Sequence, residues 1–181
     1  MKDLRPEQIL ENSSQLISAE QVQQAIKKLA NSLNDRFAGT EPLFLSVMNG
    51  AMIPGAWLVT RLKFSLQMDY VHATRYQSTT HGGIIDFRAK PSKPVAGRTI
   101  ILFDDIYDEG YTLEAIRDWC IGQGAKQVVS VALVRKLHER GLSRDWLDYF
   151  GLDVPDVYIF GCGMDAFEYW RELDHIRVLE T

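Results

Sequence analysis

Cysteine is scarce in this chain: Cys120 and Cys162 are the only two in 181 residues. They lack metal-ligand spacing, so buried free thiols are the expected state. The four histidines show no metal-ligand spacing either. No apolar run reaches the length of a membrane span. The opening MKDLRPEQILENSS has no apolar core of the signal-peptide kind. Positive charge is not in excess: 20 Lys and Arg against 24 Asp and Glu give a net charge of −4, which argues against a nucleic-acid footprint. Repeats, low-complexity tracts and linkers are missing. These absences predict one cytoplasmic domain over residues 1–181, with neither membrane nor nucleic acid as partner. That length suits a single sizeable core, and the 46% hydrophobic and 24% charged fractions are ordinary for a globular protein.

What is present reads as alternating strands and helices. Val22, Ile26, Leu29, Leu33 and Phe37 recur at helical spacing, with Ser18 and Gln21 as a capping box and Gly39 as the stop, so a helix is expected over 18–37. Leu43 to Met48 reads as a buried strand. Ile53 to Leu62 reads as a helix with Pro54 in its first turn. Leu66 to Tyr76 and Ile84 to Arg88 read as two strands of a long arm, joined by a turn at His81-Gly82-Gly83. A strand over Thr99–Phe103, a helix over Tyr111–Ile121, a strand over Val128–Val134 and a short strand over Val157–Phe160 complete the pattern. The segment 142–156 is expected to cover a sheet edge. Short apolar strands alternating with helices imply an α/β fold with a mostly parallel sheet. Ligands of such sheets bind outside the carboxyl ends of the strands. MNGA (48–51), DDIYDEGYT (104–112) and RKLHERG (135–141) all fall at those ends.

The stretch ILFDDIYDEGYTL (101–113) combines a strand-to-helix turn with four acids. Such a turn offers outward N–H groups to a phosphate, yet Asp104, Asp105, Asp108 and Glu109 crowd the same place. Adjacent acids do not fit the alternating ligands of a calcium loop. The Gly-Lys-Ser/Thr of a P-loop is missing, and Gly161-Cys162-Gly163 is only half a dinucleotide fingerprint. An acidic phospho-acceptor pocket would place such acids nearer the start of the domain. A sugar phosphate explains the mixture better, with carboxylates for ribose hydroxyls and a nearby cation, and backbone amides with the Thr112 hydroxyl for the anion.

That stretch resembles the phosphoribosyl-diphosphate-binding motif of the type I phosphoribosyltransferases. The wider chain, over about residues 20–178, resembles the hypoxanthine-guanine branch, through MNGA, TRYQSTTHGG, LVRK and PDVYIFGCGMDAFEYWREL in that order. The resemblance implies the type I phosphoribosyltransferase fold: a mostly parallel central sheet flanked by helices, with a mobile arm and a small hood. It implies purine salvage, moving a 5-phosphoribosyl group from phosphoribosyl diphosphate to hypoxanthine or guanine, with Mg2+ as cofactor. A homodimer or homotetramer is the family expectation. The alternatives are a xanthine- or pyrimidine-directed transferase, or a non-catalytic RNA-binding regulator of the same fold.

By the same resemblance, Asp104 and Asp105 hold the ribose hydroxyls, and Asp104 stands where many relatives have Glu. Asp108 lies beside purine N7 as general base or proton shuttle. Glu109, Gly110, Tyr111 and Thr112 bind the 5-phosphate, although Glu109 replaces a small hydroxyl residue. Met48, Asn49 and Gly50 form the diphosphate loop, where relatives often carry a cis peptide and a basic residue in place of Asn49. Arg171 contacts diphosphate, Arg75 and Tyr76 begin the closing arm, and Lys136 contacts the purine O6. Tyr158, with Ile159 beside it, stacks on the base, and Asp165 is the magnesium ligand. The competing readings are a solvated Lys136, a core Tyr158, an Asp165 that caps a helix containing Phe167 and Trp170, and an Arg171 in an ordinary surface ion pair. The four tryptophans are expected in the core or at subunit contacts.

Overall fold

A computed structural model describes residues 5–75 and 85–180. Its elements are α1 (Pro6–Glu11), β1 (Ser13–Ile17), α2 (Ala19–Phe37), β2 (Leu43–Val47), α3 (Met52–Val59), β3 (Gln67–Arg75), β4 (Ile85–Ala89), β5 (Thr99–Tyr107), α4 (Tyr111–Gly122), β6 (Gln127–Leu137), β7 (Tyr149–Pro155), β8 (Ile159–Phe160) and β9 (Ile176–Leu179). A six-stranded sheet runs β4-β3-β2-β5-β6-β7. Its five strands from β3 to β7 are parallel, and β4 returns antiparallel on β3. A second sheet, β1-β9-β8, is antiparallel and fills the place expected for a hood.

Strand alternation builds two cores, one on each sheet face. Leu43, Leu45, Ile100 and Leu102 pack with Leu113, Ile116 and Cys120 of α4. Their neighbours Phe44, Ile101 and Phe103 pack on the opposite face with Val22, Ile26, Leu29 and Leu33 of α2. Helix α2 starts as its sequence dictates: the Ser18 hydroxyl accepts from the Gln21 amide and the Gln21 side chain accepts from the Ser18 amide. Both cysteines are free and buried; burial pushes the Cys120 thiol up to about 11 and the Cys162 thiol up to about 12. Trp57, Trp119 and Trp146 pack against these two cores, and Trp170 packs against a smaller cluster of Ile9, Phe160, Ala166 and Leu179.

Several boundaries differ from the sequence expectation. Strand β5 continues to Tyr107, so Asp104 and Asp105 are strand residues rather than loop residues. Strand β6 likewise continues to Leu137 and carries Lys136. Helix α3 ends at Val59, and β8 holds only Ile159 and Phe160. The segment 142–156 does more than cover the sheet edge, because its residues 149–155 are the edge strand β7 itself. Phe167 and Trp170 lie on no helix: Phe167, Glu168 and Trp170 have positive φ, and Ala166 pairs with Tyr169 across a tight turn. The arm is present as the β3–β4 hairpin, while its expected tip, with Tyr76 and His81-Gly82-Gly83, lies outside the described residues.

Candidate active site

The parallel strands β2, β5 and β6 point their carboxyl ends the same way, which brings the three singled-out segments together. After β2 the chain turns through a cis Met48–Asn49 peptide into Gly50. A Cβ at Gly50 would overlap the Asp105 carboxylate, and one at Gly163 would collide with the Gly50 carbonyl. The 48–50 loop, the acid pair and the segment around Gly163 therefore interlock through glycine contacts.

Asp104 and Asp105 are among the few buried charged residues, at 8% and 7% exposure. Asp104 Oδ1 accepts from the Asp105 amide at 2.9 Å, and Asp105 Oδ1 accepts from the Ile106 amide at 2.9 Å. Burial first, and then the Asp105 charge, push the Asp104 carboxyl well above the carboxylate range. Burial also raises Asp105, against hydrogen bonds from Asp104 and the Ile106 amide and the pull of Arg171. Two desolvated carboxyls beside each other hold protons poorly released to water, and hydroxyl donors are the ligands that would satisfy them.

Beyond β5, Gly110 adopts φ +83 at the N-cap of α4, with the Tyr107 ring packed where a side chain would stand. The first bond from α4 to the cap runs from the Glu114 amide to the Gly110 carbonyl at 3.0 Å. The amides of Thr112 and Leu113 thus precede the helix's own ladder, at the positive end of its dipole. A cavity of about 340 Å³ is lined by Asp104, Ile106, Asp108 and the whole run from Glu109 to Leu113. The Glu109 carboxylate lies 3.7 Å from Arg140 Nε, while its carbonyl accepts from the Leu142 amide at 2.9 Å. Arg140 thereby offsets the acid next to Gly110.

Asp108 is the most heavily engaged of the acids. Lys136 Nζ donates to its Oδ2 at 2.9 Å, His138 Nε2 lies 2.6 Å from its Oδ1, and Arg140 Nη2 lies 3.8 Å away. Burial pushes Asp108 up, but the hydrogen bonds from Lys136 and His138 outweigh it and hold the carboxyl below its usual range. Arg140 also forms a two-pronged pair with Asp156 at 2.5 and 2.9 Å. Ligand atoms of Asp108, His138 and Asp156 lie within 4.8 Å of one another, yet Lys136 and Arg140 already occupy both carboxylates, a cationic surrounding that disfavours a metal there. His138 and Arg140 were not singled out by the sequence. Lys136 belongs to β6, whereas His138 and Arg140 reach Asp108 from the bend that follows it.

The remaining candidates lie around this centre. Arg171 Nη2 pairs with Asp165 Oδ1 at 2.6 Å, and its Nη1 donates to the Gly163 carbonyl at 2.8 Å. Asp165 Oδ2 accepts from the Glu168 amide at 2.8 Å, so it caps a turn rather than a helix. Tyr158 is 44% exposed and its ring stacks on Phe167 at 6.1 Å, which removes the core reading; Ile159 beside it is buried. Arg75 ends β3.

A buried acid pair, a glycine-opened helix terminus and a lysine-paired carboxylate at the ends of parallel strands define an α/β protein built to handle a nucleotide or sugar phosphate. Residues 12–166 match the phosphoribosyl transferase domain model. The chain is 32% identical to the hypoxanthine-guanine phosphoribosyltransferase of Bacillus subtilis (strain 168), over 91% of this chain and 92% of that one. A crystal structure of a hypoxanthine-guanine phosphoribosyltransferase from Bacillus anthracis superposes with a TM-score of 0.85 at 29% identity, covering 91% of this chain and 97% of that one. A hypoxanthine phosphoribosyltransferase from Staphylococcus aureus shares the fold at a TM-score of 0.88 and 21% identity, over 94% of each chain. The chain belongs to the phosphoribosyl transferase family.

Proposed function

We propose that the protein is a purine-salvage enzyme that transfers a 5-phosphoribosyl group from phosphoribosyl diphosphate to N9 of hypoxanthine or guanine, giving IMP or GMP and diphosphate. The observation that supports this most is the Lys136–Asp108 pair at the rim of the α4 cavity. It sets a donor for a 6-oxo group beside an acceptor for a ring N–H. The donor's 5-phosphate takes the amides from Gly110 to Thr112 and the Thr112 hydroxyl, and the ribose hydroxyls take Asp104 and Asp105. The purine lies against Tyr158 with Ile159 alongside.

In the reaction the N9 lone pair forms the bond to the anomeric carbon as the bond to the diphosphate oxygen breaks. The N7 proton passes to Asp108. Negative charge grows on the leaving diphosphate, which meets Arg171 and the backbone of Met48, Asn49 and Gly50. Asp165 would hold a divalent ion, read as Mg2+, if Arg171 moved off its Oδ1 onto the diphosphate, since magnesium favours one or two carboxylates with the remaining places held by water and phosphate. When bound it neutralises the diphosphate charge. Arg75 and Tyr76 start the arm that closes over the centre and excludes water. The phosphate, ribose and base positions need only one chain, and assembly as a homodimer or homotetramer in the cytoplasm completes the reading.

Turnover of hypoxanthine, guanine, xanthine and adenine with phosphoribosyl diphosphate, with and without Mg2+, tests it. The Lys136 ammonium only donates, so a 6-amino purine faces donor with donor. Adenine should be disfavoured by a factor of about 10⁴–10⁵ in kcat/KM. Comparable values for adenine and hypoxanthine would overturn the Lys136 assignment, and no turnover of any purine would overturn the reading as a whole.

A further inference from the structure

The side chain that most tightly holds Asp108 is one the proposed reaction does not use. His138 is 6% exposed at its side chain, and its Nε2 lies 2.6 Å from Asp108 Oδ1. The other ring nitrogen is spoken for: the Arg140 backbone amide donates to His138 Nδ1 at 3.1 Å. A ring nitrogen that accepts from an amide carries no hydrogen, so the hydrogen sits on Nε2 and is donated to Asp108. The tautomer thus follows from the backbone turn after β6. Such a ring is a hydrogen-bond donor to Asp108 and has no lone pair left with which to take a proton from it.

The two Asp108 oxygens are therefore unlike each other. Oδ1 is bound to a buried ring fixed by the main chain, whereas Oδ2 is bound to Lys136, whose flexible stem can move. We propose that His138 is the positioning residue for Asp108: it pins Oδ1, so that when Lys136 leaves for the purine 6-oxo group, Oδ2 is freed and already aimed at N7. The inference rests on the reading of Asp108 and Lys136 given above. The loss of Lys136 from Oδ2 makes Asp108 a better base only once a 6-oxo purine is bound. His138 keeps the carboxylate from following the departing lysine. Arg140, 3.8 Å from Asp108 and held by Asp156 and Glu109, is the remaining charge facing the group.

The test compares two amides of different reach. His138→Asn keeps an acceptor near the Arg140 amide but is too short to donate to Asp108, whereas His138→Gln reaches the Nε2 position with a donor. The expected result is a fall in kcat of about 10–100-fold in H138N, the worth of a hydrogen bond to a charged group, with KM for donor little changed. H138Q should recover most of that loss. The acidic limb of kcat/KM should move to higher pH in H138N, because a carboxylate stripped of a donor binds its proton more tightly. In an Asp108→Asn background H138N should cost nothing further, since both act through one group. Wild-type kcat in H138N, equal losses in H138N and H138Q, or an undiminished H138N effect in D108N would each overturn the positioning role. Wild-type turnover in D108N alone would instead overturn the role given to Asp108, so the two failures are distinguishable.

Discussion

Replacing Asp104 with Asn should make the free protein more stable and the enzyme worse. Asp104 is 8% exposed and its nearest charged neighbour is the equally buried Asp105. Asn keeps an oxygen for the Asp105 amide, which Asp104 Oδ1 now accepts at 2.9 Å, and removes the ionisable group. Burial and the Asp105 charge raise the Asp104 carboxyl well above 3.8 in the folded chain. The native state therefore binds this proton more tightly than the unfolded state does. Stability linked to it is complete below the unfolded value and is lost as pH rises through the folded one. Leaving a polar group desolvated costs about 1–3 kcal/mol, and more for a charged one, and Asn is spared the excess that the charge carries. For a chain of this size each kcal/mol moves the melting temperature by about 2–4 °C. Thermal unfolding of D104N without ligands should thus show a gain of about 2–12 °C at pH 7.5, shrinking toward zero near pH 4. Calorimetry should show weaker donor binding in the same variant, because a ribose hydroxyl loses its acceptor. A melting temperature at or below wild type at pH 7.5, or a gain independent of pH, would refute the argument that the acid pair is held at the expense of stability.

Asp108→Asn keeps the size of the side chain and removes the base, so turnover should fall about 10²–10⁴-fold while donor affinity changes much less; unchanged steady-state turnover would rule out its role. Thr112→Ala deletes a side-chain hydrogen bond and leaves the amides in place. Donor affinity should weaken by about 1.5–3 kcal/mol with the melting temperature of the free protein unaltered, and an unchanged dissociation constant by calorimetry would count against phosphate at the α4 terminus.

The sequence revealed those parts of the fold that obey a local rule. The Ser18/Gln21 box and the apolar stripe set α2, and the short apolar runs within Leu43–Val47 and Thr99–Phe103 placed two central strands with both faces buried. It failed where partners are distant. Ser13–Ile17 is too polar to read as a strand, and it becomes one by pairing with Ile176–Leu179 at the far end of the chain. Gly151 and Pro155 hid β7, which sits at the sheet edge where a proline is tolerated. Acidic residues suggested that β5 stops at Phe103, but pairing of Asp104 with Ala132 and of Tyr107 with Arg135 carries it on. Of the residues singled out as the site, Asp104, Asp105, Asp108, Gly110, Thr112 and Lys136 lie near one another in the structure because one dense motif and one strand end contain them. His138 and Arg140 were not singled out, since nothing in the sequence announces the bend after Leu137 that brings both onto Asp108.

The seclusion of both native thiols makes the chain a convenient background for site-directed probes. Cys120 and Cys162 are fully buried, with thiols pushed up to about 11 and about 12, so neither offers a thiolate to a maleimide at neutral pH. A single Asp86→Cys substitution on the exposed face of β4 would then carry the whole label. The reporter would ride on the arm itself, and a change in its emission when substrates are added would test the proposed closure without first stripping the protein of its own cysteines.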